Sequence, residues 1–344
     1  MAAETATINR AFKLAARPQG EPKRSDWDFV QDAVPEPGDG EILVQNLYVS
    51  LDPAMRGWMN EGRSYVPPVR IGEVMRAGAV GRVLSSRNAG FAPGDEVVGT
   101  FGVQDFAVSN GQGVMKIDTA LAPAPAWLGT LGMPGLTAYF GLLEVGAMKA
   151  GETVVVSAAA GAVGTVVGQL AKIKGGRVVG IAGGPEKCRW IVDELGFDAA
   201  IDYKNNDVPL GLREHCPRGI DVYFDNVGGP ILDACLARLA RGARVAICGA
   251  ISQYNNTGPA SGPANYMSLL VNRARMQGFL VFDYLDRYGE AIVEMTGYYR
   301  SGQLKSREQV VVGLEAFPET LLMLFRGENT GKLVLRVAEV GPGL

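Results

Sequence analysis

Over the first 130 or so positions, the apolar residues fall in short runs separated by Gly, Pro, Asp and Asn. Residues 41–45 (EILVQ) follow Pro35, Pro37, Gly38 and Gly40, and residues 79–84 (AVGRVL) form a second run. Pro93, Gly94 and Asp95 make a turn signal that delivers residues 96–99, and runs at 103–108 and 114–117 follow. Short strands broken by turn residues predict a small, mostly β, barrel-like domain.

Beyond position 131 the period changes. Apolar runs at 153–157, 177–181, 199–201, 221–225, 244–248 and 277–281 alternate with helical stretches that reach Ile173, span 187–195 and span 231–239. This alternation predicts βαβ units and a parallel sheet covered on both faces. The tail departs from it, with helices expected at 284–300 and 314–324, Pro318 lying in the first turn of the second. A last strand at 332–336 is expected to return to the first domain as an edge strand. The fold class is therefore α/β, a doubly wound Rossmann sheet plus a mostly β domain. Residues 1–130 with 300–344 form one domain and residues 131–299 the other.

Composition narrows the functional classes. The chain has 344 residues, 47% hydrophobic and 20% charged, which suits a soluble globular protein with a sizeable core. A net charge of −3, with lysines and arginines spread singly, leaves no basic stripe for nucleic acid. The uncharged stretch 153–171 contains Gly161, Gly164, Gly168 and Gln169, and divides into a strand-like and a helix-like half rather than a membrane span. Residues 1–20 carry Glu4, Arg10, Lys13 and Arg17 and have no apolar core, so no export signal is read there and a cytoplasmic location is expected. Cys188, Cys216, Cys235 and Cys248 show no C-x-x-C spacing and read as reduced thiols.

The chemistry concentrates after the apolar runs of the second half. Ala159-Ala160-Gly161-Ala162-Val163-Gly164 follows a Val-rich strand and opens a helix, the context a dinucleotide fingerprint requires. Gly161 would admit the pyrophosphate, and Gly164 would let the helix pack closely on the sheet. Ala159 stands where the first glycine belongs, and an ordinary strand-to-helix turn gives the same pattern. An NAD enzyme places a carboxylate about 20 residues further on. Here Ala182-Gly183-Gly184-Pro185 occupies that place, followed by Glu186, Lys187 and Arg189. The missing acid favours NADP, although Lys187 also reads as a surface residue of a helix's first turn.

No cysteine precedes Cys188, and the single histidine, His215, reads as an exposed loop residue, so a zinc site of His and Cys ligands in the first domain is excluded. Tyrosines, lysines and carboxylates remain. Tyr254 follows an apolar run at a strand's carboxyl end, where ligands bind in open α/β sheets. It reads either as a hydrogen-bond donor to a developing negative charge or as an ordinary loop tyrosine. Asp225-Asn226-Val227-Gly228-Gly229 ends another strand the same way, and its Asn-x-Gly-Gly run suggests close backbone approach to a ligand. Tyr48 and Tyr65 read as residues of a cleft between the domains or as core and surface tyrosines.

Blocks at 50–56 (SLDPAMR), 132–139 (GMPGLTAY), 158–164 (AAAGAVG), 224–229 (FDNVGG), 248–255 (CGAISQYN) and 327–332 (GENTGK) occur in order along the chain. Together they resemble the zinc-independent medium-chain dehydrogenase/reductases, in the leukotriene B4 dehydrogenase and prostaglandin reductase branch. Residues 65–68 (YVPP) and 183–189 (GGPEKCR) look most like the bacterial NADPH-dependent curcumin reductases of that branch. The resemblance implies a GroES-like catalytic domain and an inserted Rossmann domain that binds NADPH. It implies cofactor contacts at Gly161, Ala162, Val163, Gly164, Lys187, Tyr203, Asn226, Cys248, Gly249, Ala250, Ile251, Ser252, Gln253, Tyr254, Phe279, Leu280, Val281 and Asn329. Lys187 and Tyr203 would hold the 2′-phosphate, and Asn329 would reach the nicotinamide side from the tail. Asp202 stands where relatives often have asparagine, and as a strand neighbour of Tyr203 it is expected to point away from the phosphate. Residues 257–264, in the substrate loop, are generic Gly/Pro-rich sequence.

The implied activity is reduction of a carbon–carbon double bond conjugated to a carbonyl, as in enals, enones and curcumin-like substrates, with Tyr254 as the catalytic donor. Tyr48, Tyr65 and Tyr254 are its substrate contacts, and a homodimer is the expected state. The rivals are a quinone reductase, a zinc-free alcohol dehydrogenase acting on the carbonyl itself, and a non-catalytic NADPH-binding protein.

Overall fold

The computed structural model describes residues 8–259 and 262–339. Residues 1–7 of the segment read above for an export signal, and positions 260 and 261 of the 257–264 loop, lie outside the described residues. In chain order the elements are β1 (Ile8–Leu14), β2 (Trp27–Ala33), β3 (Ile42–Ser50), α1 (Ala54–Trp58), β4 (Gly78–Ser86), β5 (Glu96–Thr100), β6 (Phe106–Ser109) and β7 (Met115–Lys116). There follow α2 (Met133–Phe140), β8 (Thr153–Ser157), α3 (Ala162–Ile173), β9 (Arg177–Ala182), α4 (Pro185–Asp193), β10 (Ala199–Asp202), α5 (Val208–His215) and β11 (Ile220–Asp225). Next come α6 (Gly229–Leu236), β12 (Leu239–Ile247), α7 (Met267–Asn272), β13 (Arg275–Gly278), α8 (Tyr288–Arg300), β14 (Glu308–Val312), α9 (Phe317–Arg326) and β15 (Lys332–Arg336).

The chain divides into two compact units, Met1–Leu128 with Glu308–Leu344, and Gly129–Arg307. Residues just before the second joint stay with the latter unit for a local reason. Lys305 N–H donates to Gln169 Oε1 and Gln169 Nε2 donates back to the Lys305 carbonyl, at 2.8 and 3.0 Å. The Arg307 guanidinium then lies 4.8 Å over the Trp190 ring.

In the first unit, strand order β14-β15-β3-β4-β5-β7 forms one sheet, with β6 also paired to β3. The early half of β3 pairs β6 and its last residues pair β15, so one edge of the strand serves two partners while β4 lies on the other. Antiparallel β1 and β2 form a separate two-stranded sheet. The core joins both ends of the chain: Phe317 of α9 packs its ring 5.2 Å from Phe12 and 4.9 Å from Trp27. Strand β15 is therefore internal, not the expected edge. The edge is β14, whose Val310 and Val312 stay exposed and so lack the buried apolar run that marks a strand in sequence. The β1–β2 pair is also absent from the sequence reading, since β2 carries two aspartates and a glutamine and its link to β1 is not a tight turn.

In the second unit the parallel order is β10-β9-β8-β11-β12-β13. All five residues of β8 are buried, consistent with a strand covered on both faces. The uncharged stretch resolves into β8, a turn and α3, and among the described residues no helix is long and apolar enough to cross a membrane. Three local readings change. The helix expected from 284 begins at Tyr288, after 3-10 turns over Val281–Arg287, because Tyr284 is non-helical. The last strand of this sheet is Arg275–Gly278, which leaves Phe279, Leu280 and Val281 beyond its end. His215 is the last residue of α5 and half-buried, not an exposed loop residue, and its carbonyl accepts from the Arg177 guanidinium.

Candidate active site

The sheet changes direction between β8 and β11, which are neighbours in space but not in sequence. In a doubly wound sheet the crevice at this switch point receives the ligand. Side chains stitch the two strand ends together. Asn226 N–H donates to Ser157 Oγ at 2.9 Å, and Asn226 Nδ2 donates to the Ser157 carbonyl at 2.8 Å. Asp225, only 1% exposed, accepts at Oδ1 from Ser157 Oγ, Tyr223 Oη, Val227 N–H and Gly228 N–H, over 2.7–3.1 Å. Burial, the nearby Cys235 and the Asp225 charge push the Tyr223 phenol well above its ordinary value, so it remains the donor in that pair. Four donors satisfy Oδ1, while Oδ2 is buried without a hydrogen-bond partner. Sequence reasoning assigns no site role to Ser157 or Asp225; the signal that marks both is a polar group at the carboxyl end of an otherwise apolar strand.

On one side of the switch, Ala158 takes a left-handed backbone (φ 49°) and the chain turns into α3 at Gly161. The strained residue is thus Ala158, while Ala159, the residue out of pattern, is fully buried and donates its N–H to the Ile181 carbonyl. A Cβ on Gly164 would lie 2.3 Å from the Ala158 carbonyl oxygen, so only glycine lets α3 begin this close to the turn. A Cβ on Gly161 would meet only that same oxygen, at 3.2 Å. No side chain caps the helix, and the first-turn amides of Ala162, Val163 and Gly164 have no intrahelical acceptor. An uncapped, unobstructed helix start fits a pyrophosphate.

The next strand end carries the 2′ side. Gly183 and Gly184 lead into α4, and the Tyr203 ring packs against Gly183, within 3.0 Å of where a Cβ would stand. Lys187 is half-buried in the first turns of α4, and Tyr203 is 41% exposed. Asp202 does not point away. Its Oδ1 accepts from Gly184 N–H at 2.7 Å and Lys204 N–H at 3.0 Å, and its Oδ2 accepts from Asn205 Nδ2 at 2.7 Å. Burial opposes its charge, but the Asn205 side chain and the Gly184, Lys204 and Asn205 amides outweigh burial and hold the carboxyl below its ordinary value. It ends the last residue position of β10, where the chain turns and the side chain can fold back under the neighbouring loop. The carboxylate is thereby committed to the turn that frames the 2′ side.

On the other side of the switch, Cys248 and Gly249 donate their amides to the Asp225 carbonyl at 2.8 and 3.1 Å. Ile251 N–H reaches the Asn226 carbonyl, and Ser252 donates both its N–H and its Oγ to the Val227 carbonyl. Gly228 is at φ 70°, and a Cβ there would come within 3.1 Å of Ala250 Cβ. The Asn-Val-Gly-Gly run therefore serves this loop-to-loop contact, rather than ligand approach alone. Within the loop, Ala250 N–H donates to the Tyr254 hydroxyl oxygen at 3.1 Å. Burial, reinforced by the Asp225 charge, raises the Cys248 thiol to about 12, which makes it inert as a nucleophile. Gln253 is half-buried beside Tyr254, and Phe279 meets Phe224 edge-on at 6.0 Å while Leu280 and Val281 follow it.

Three sequence candidates belong to the first unit. Tyr48 is buried on β3, and its phenol is raised by burial. Tyr65 is 47% exposed and accepts from Trp58 Nε1 at 3.1 Å. Asn329 precedes β15 and donates to the Gly331 carbonyl at 3.1 Å. Among the described residues, no group of three or more His, Cys, Asp or Glu is placed to hold a metal ion.

Residues 10–117 match the family model of the N-terminal domain of oxidoreductases, and residues 162–296 match that of the zinc-binding dehydrogenases. The NADPH-dependent curcumin reductase of Escherichia coli is 45% identical, over 96% of this chain and 97% of its own. The chain is a medium-chain dehydrogenase/reductase of the prostaglandin reductase branch. The NADP(+)-dependent 2-alkenal reductase of Nicotiana tabacum is 42% identical over 93% of this chain and 94% of its own. The crystal structure of CurA from Vibrio vulnificus in complex with NADPH superposes with a TM-score of 0.91 at 44% identity, covering 96% of this chain and all of that one. Within this family the chain lies on the zinc-independent side, since its cysteines all fall between Cys188 and Cys248 and its one histidine is His215.

Proposed function

We propose that this medium-chain reductase uses NADPH to reduce the carbon–carbon double bond of α,β-unsaturated aldehydes and ketones. The observation that carries the reading is the Tyr254 hydroxyl, whose oxygen accepts from the Ala250 amide in a loop anchored to the switch point. Gly161 through Gly164 take the pyrophosphate, Lys187 and Tyr203 the 2′-phosphate, and Asn226, the 248–254 loop and residues 279–281 the nicotinamide half. NADPH, when bound, supplies the hydride that goes to the β-carbon. Negative charge then builds on the substrate's carbonyl oxygen, and Tyr254 donates its hydroxyl proton in a hydrogen bond to that oxygen. Because the Ala250 amide occupies an acceptor site of the hydroxyl, the O–H vector is directed away from that amide. The enol carbon α to the carbonyl takes its proton from solvent.

Consumption of NADPH across enals, enones, quinones and diarylenones, with product identification, tests the reading. A saturated ketone or aldehyde is expected. An allylic alcohol sinks it in favour of carbonyl reduction, turnover of quinones alone favours a quinone reductase, and tight NADPH binding with no turnover favours a non-catalytic role. Tyr254→Phe is expected to lower kcat by about 10²-fold, the usual loss for one oxyanion donor; unchanged turnover removes Tyr254 from this role.

The protein works as a homodimer in the cytoplasm, with its thiols reduced. All four residues of β13 are exposed at the sheet edge, and next to them α7 exposes Leu270 (70%) and Val271 (64%). An exposed strand edge beside apolar side chains invites pairing, and a second copy across a two-fold axis would satisfy both. Sedimentation should give a dimer, and Leu270→Glu should shift it to monomer; a monomeric parent protein removes the proposal.

A further inference from the structure

Gly249 lacks a side chain for a reason unrelated to its own backbone, whose φ lies outside the left-handed region. A Cβ built on Gly249 would stand 2.8 Å from the Tyr254 hydroxyl oxygen, 3.6 Å from the Asn226 carbonyl oxygen and 3.9 Å from Tyr254 Cζ. Only the hydroxyl contact is too close; the other two are ordinary van der Waals distances. The void at residue 249 is thus filled by one atom, the oxygen that accepts from the Ala250 amide.

The chain around this void is held by hydrogen bonds to two strand ends. Cys248 and Gly249 both donate to the Asp225 carbonyl, Ile251 donates to the Asn226 carbonyl, and Asp225 and Asn226 are themselves tied to Ser157. The frame around the hydroxyl is therefore a loop hydrogen-bonded to the end of the central sheet. We propose that Gly249 is a positioning residue for Tyr254: its absent side chain and the next residue's amide form a seat that fixes the hydroxyl oxygen and aims its proton. The amide contact also polarises the phenol, since a hydroxyl that accepts one hydrogen bond donates the next more strongly. This inference rests on Tyr254 acting as the donor, and its test separates the two.

The experiment is a double-mutant cycle of Gly249→Ala and Tyr254→Phe, read as kcat with a saturating enone and as NADPH affinity by fluorescence titration of the protein without substrate. An added methyl displaces the hydroxyl by roughly 1 Å, and a misplacement of that order costs about 10²-fold in rate. In the Tyr254→Phe background the oxygen is gone, the methyl fits, and adding Gly249→Ala is expected to change kcat less than about 2-fold, the signature of two residues acting as a unit. Because both residues lie in the loop assigned to the nicotinamide half, the NADPH titration reports any loss of cofactor binding separately, and the cycle is read on kcat at saturating NADPH. Equal losses in both backgrounds, or full turnover of Gly249→Ala beside an impaired Tyr254→Phe, overturn the seat and leave Tyr254 standing. Full turnover of Tyr254→Phe overturns the donor reading instead. If Gly249→Ala alone is unstable, the seat predicts that Tyr254→Phe restores its melting temperature, and failure to restore it refutes the seat.

Discussion

Replacing Glu294 by glutamine tests the electrostatics of the second unit at a point remote from the chemistry. Glu294, on α8, accepts from Tyr139 Oη of α2 at 2.5 Å, from Lys174 Nζ at the end of α3 at 2.6 Å, and from Tyr298 Oη at 2.7 Å. Burial opposes its charge, but the hydrogen bonds from Lys174, Tyr139 and Tyr298 outweigh burial and pull the carboxyl from its ordinary 4.5 to about 2. At about 1.4 kcal/mol per pH unit, such a depression is worth roughly 3 kcal/mol as an upper limit. The Glu294 side chain is 31% exposed and Lys174 35%, so solvent screening reduces this to about 1–2 kcal/mol. A carboxyl depressed on folding stabilises the native state above its unfolded pKa, and that contribution drains away as pH falls from about 5 toward 2. Glu294→Gln should therefore melt a few degrees below the parent at pH 7, at about 2–4 °C per kcal/mol. The gap should narrow from about pH 5 downward and close only as pH approaches 2, and other carboxylates cancel in the comparison. Differential scanning of both proteins without NADPH reads it directly. Identical melting at pH 7, or a gap unchanged at pH 3, refutes the reasoning.

Three further outcomes are expected. Gly164→Ala forces a methyl against the Ala158 carbonyl at 2.3 Å, a backbone atom that cannot swing aside; it should cost about 1–3 kcal/mol and weaken NADPH binding in a titration, and a stable, tightly binding variant would contradict the packing. Lys332 is 2% exposed, with Nζ donating to the Leu51 carbonyl at 2.9 Å and Asp52 Oδ1 at 2.7 Å. Asp52 is 30% exposed, so Lys332→Met mainly leaves the Leu51 carbonyl unpaired and should lose about 1–2 kcal/mol in denaturant unfolding; unchanged stability would contradict this contact. Burial, with help from the Asp202 charge, raises the Cys188 thiol to about 11, and burial raises Cys216 to about 11. Iodoacetamide at pH 8 should therefore modify the native protein about 100-fold more slowly than a free thiol, and rapid labelling followed by mass spectrometry would contradict those environments.

The parallel sheet was legible because its strands are apolar on both faces: the run 153–157 coincides with β8, and the turn into α3 falls where Gly161 predicts. Elements with mixed faces were harder. β14 carries valines that end up exposed, and β2 carries charges, so neither shows a burial period. Tyr254 was legible from its place after a strand, but the contact with Ala250 and the void at Gly249 were not, because a close approach between residues four or five apart in a loop leaves no periodic trace. Asp202 shows the opposite failure. Strand alternation predicts the face a side chain leaves from, yet at a strand's last residue the backbone is already turning, and the carboxylate bonds to Gly184 instead.

The position of β15 has a consequence for the making of the protein. This strand sits between β14 and β3, although it is synthesised after both of them. At about 5–20 residues per second, the early strands wait on the order of 10–40 s while Gly129–Arg307 is synthesised. During that interval the Tyr48–Ser50 edge of β3 is unpaired and Phe317 is not yet there to cover Phe12 and Trp27, which leaves an aggregation-prone surface. The inserted unit is contiguous and closes first. A nascent chain stalled after Arg307 should therefore protect the 129–307 segment from protease while the segment before Leu128 is still cut, and soluble yield should depend more on chaperone supply than on cofactor supply.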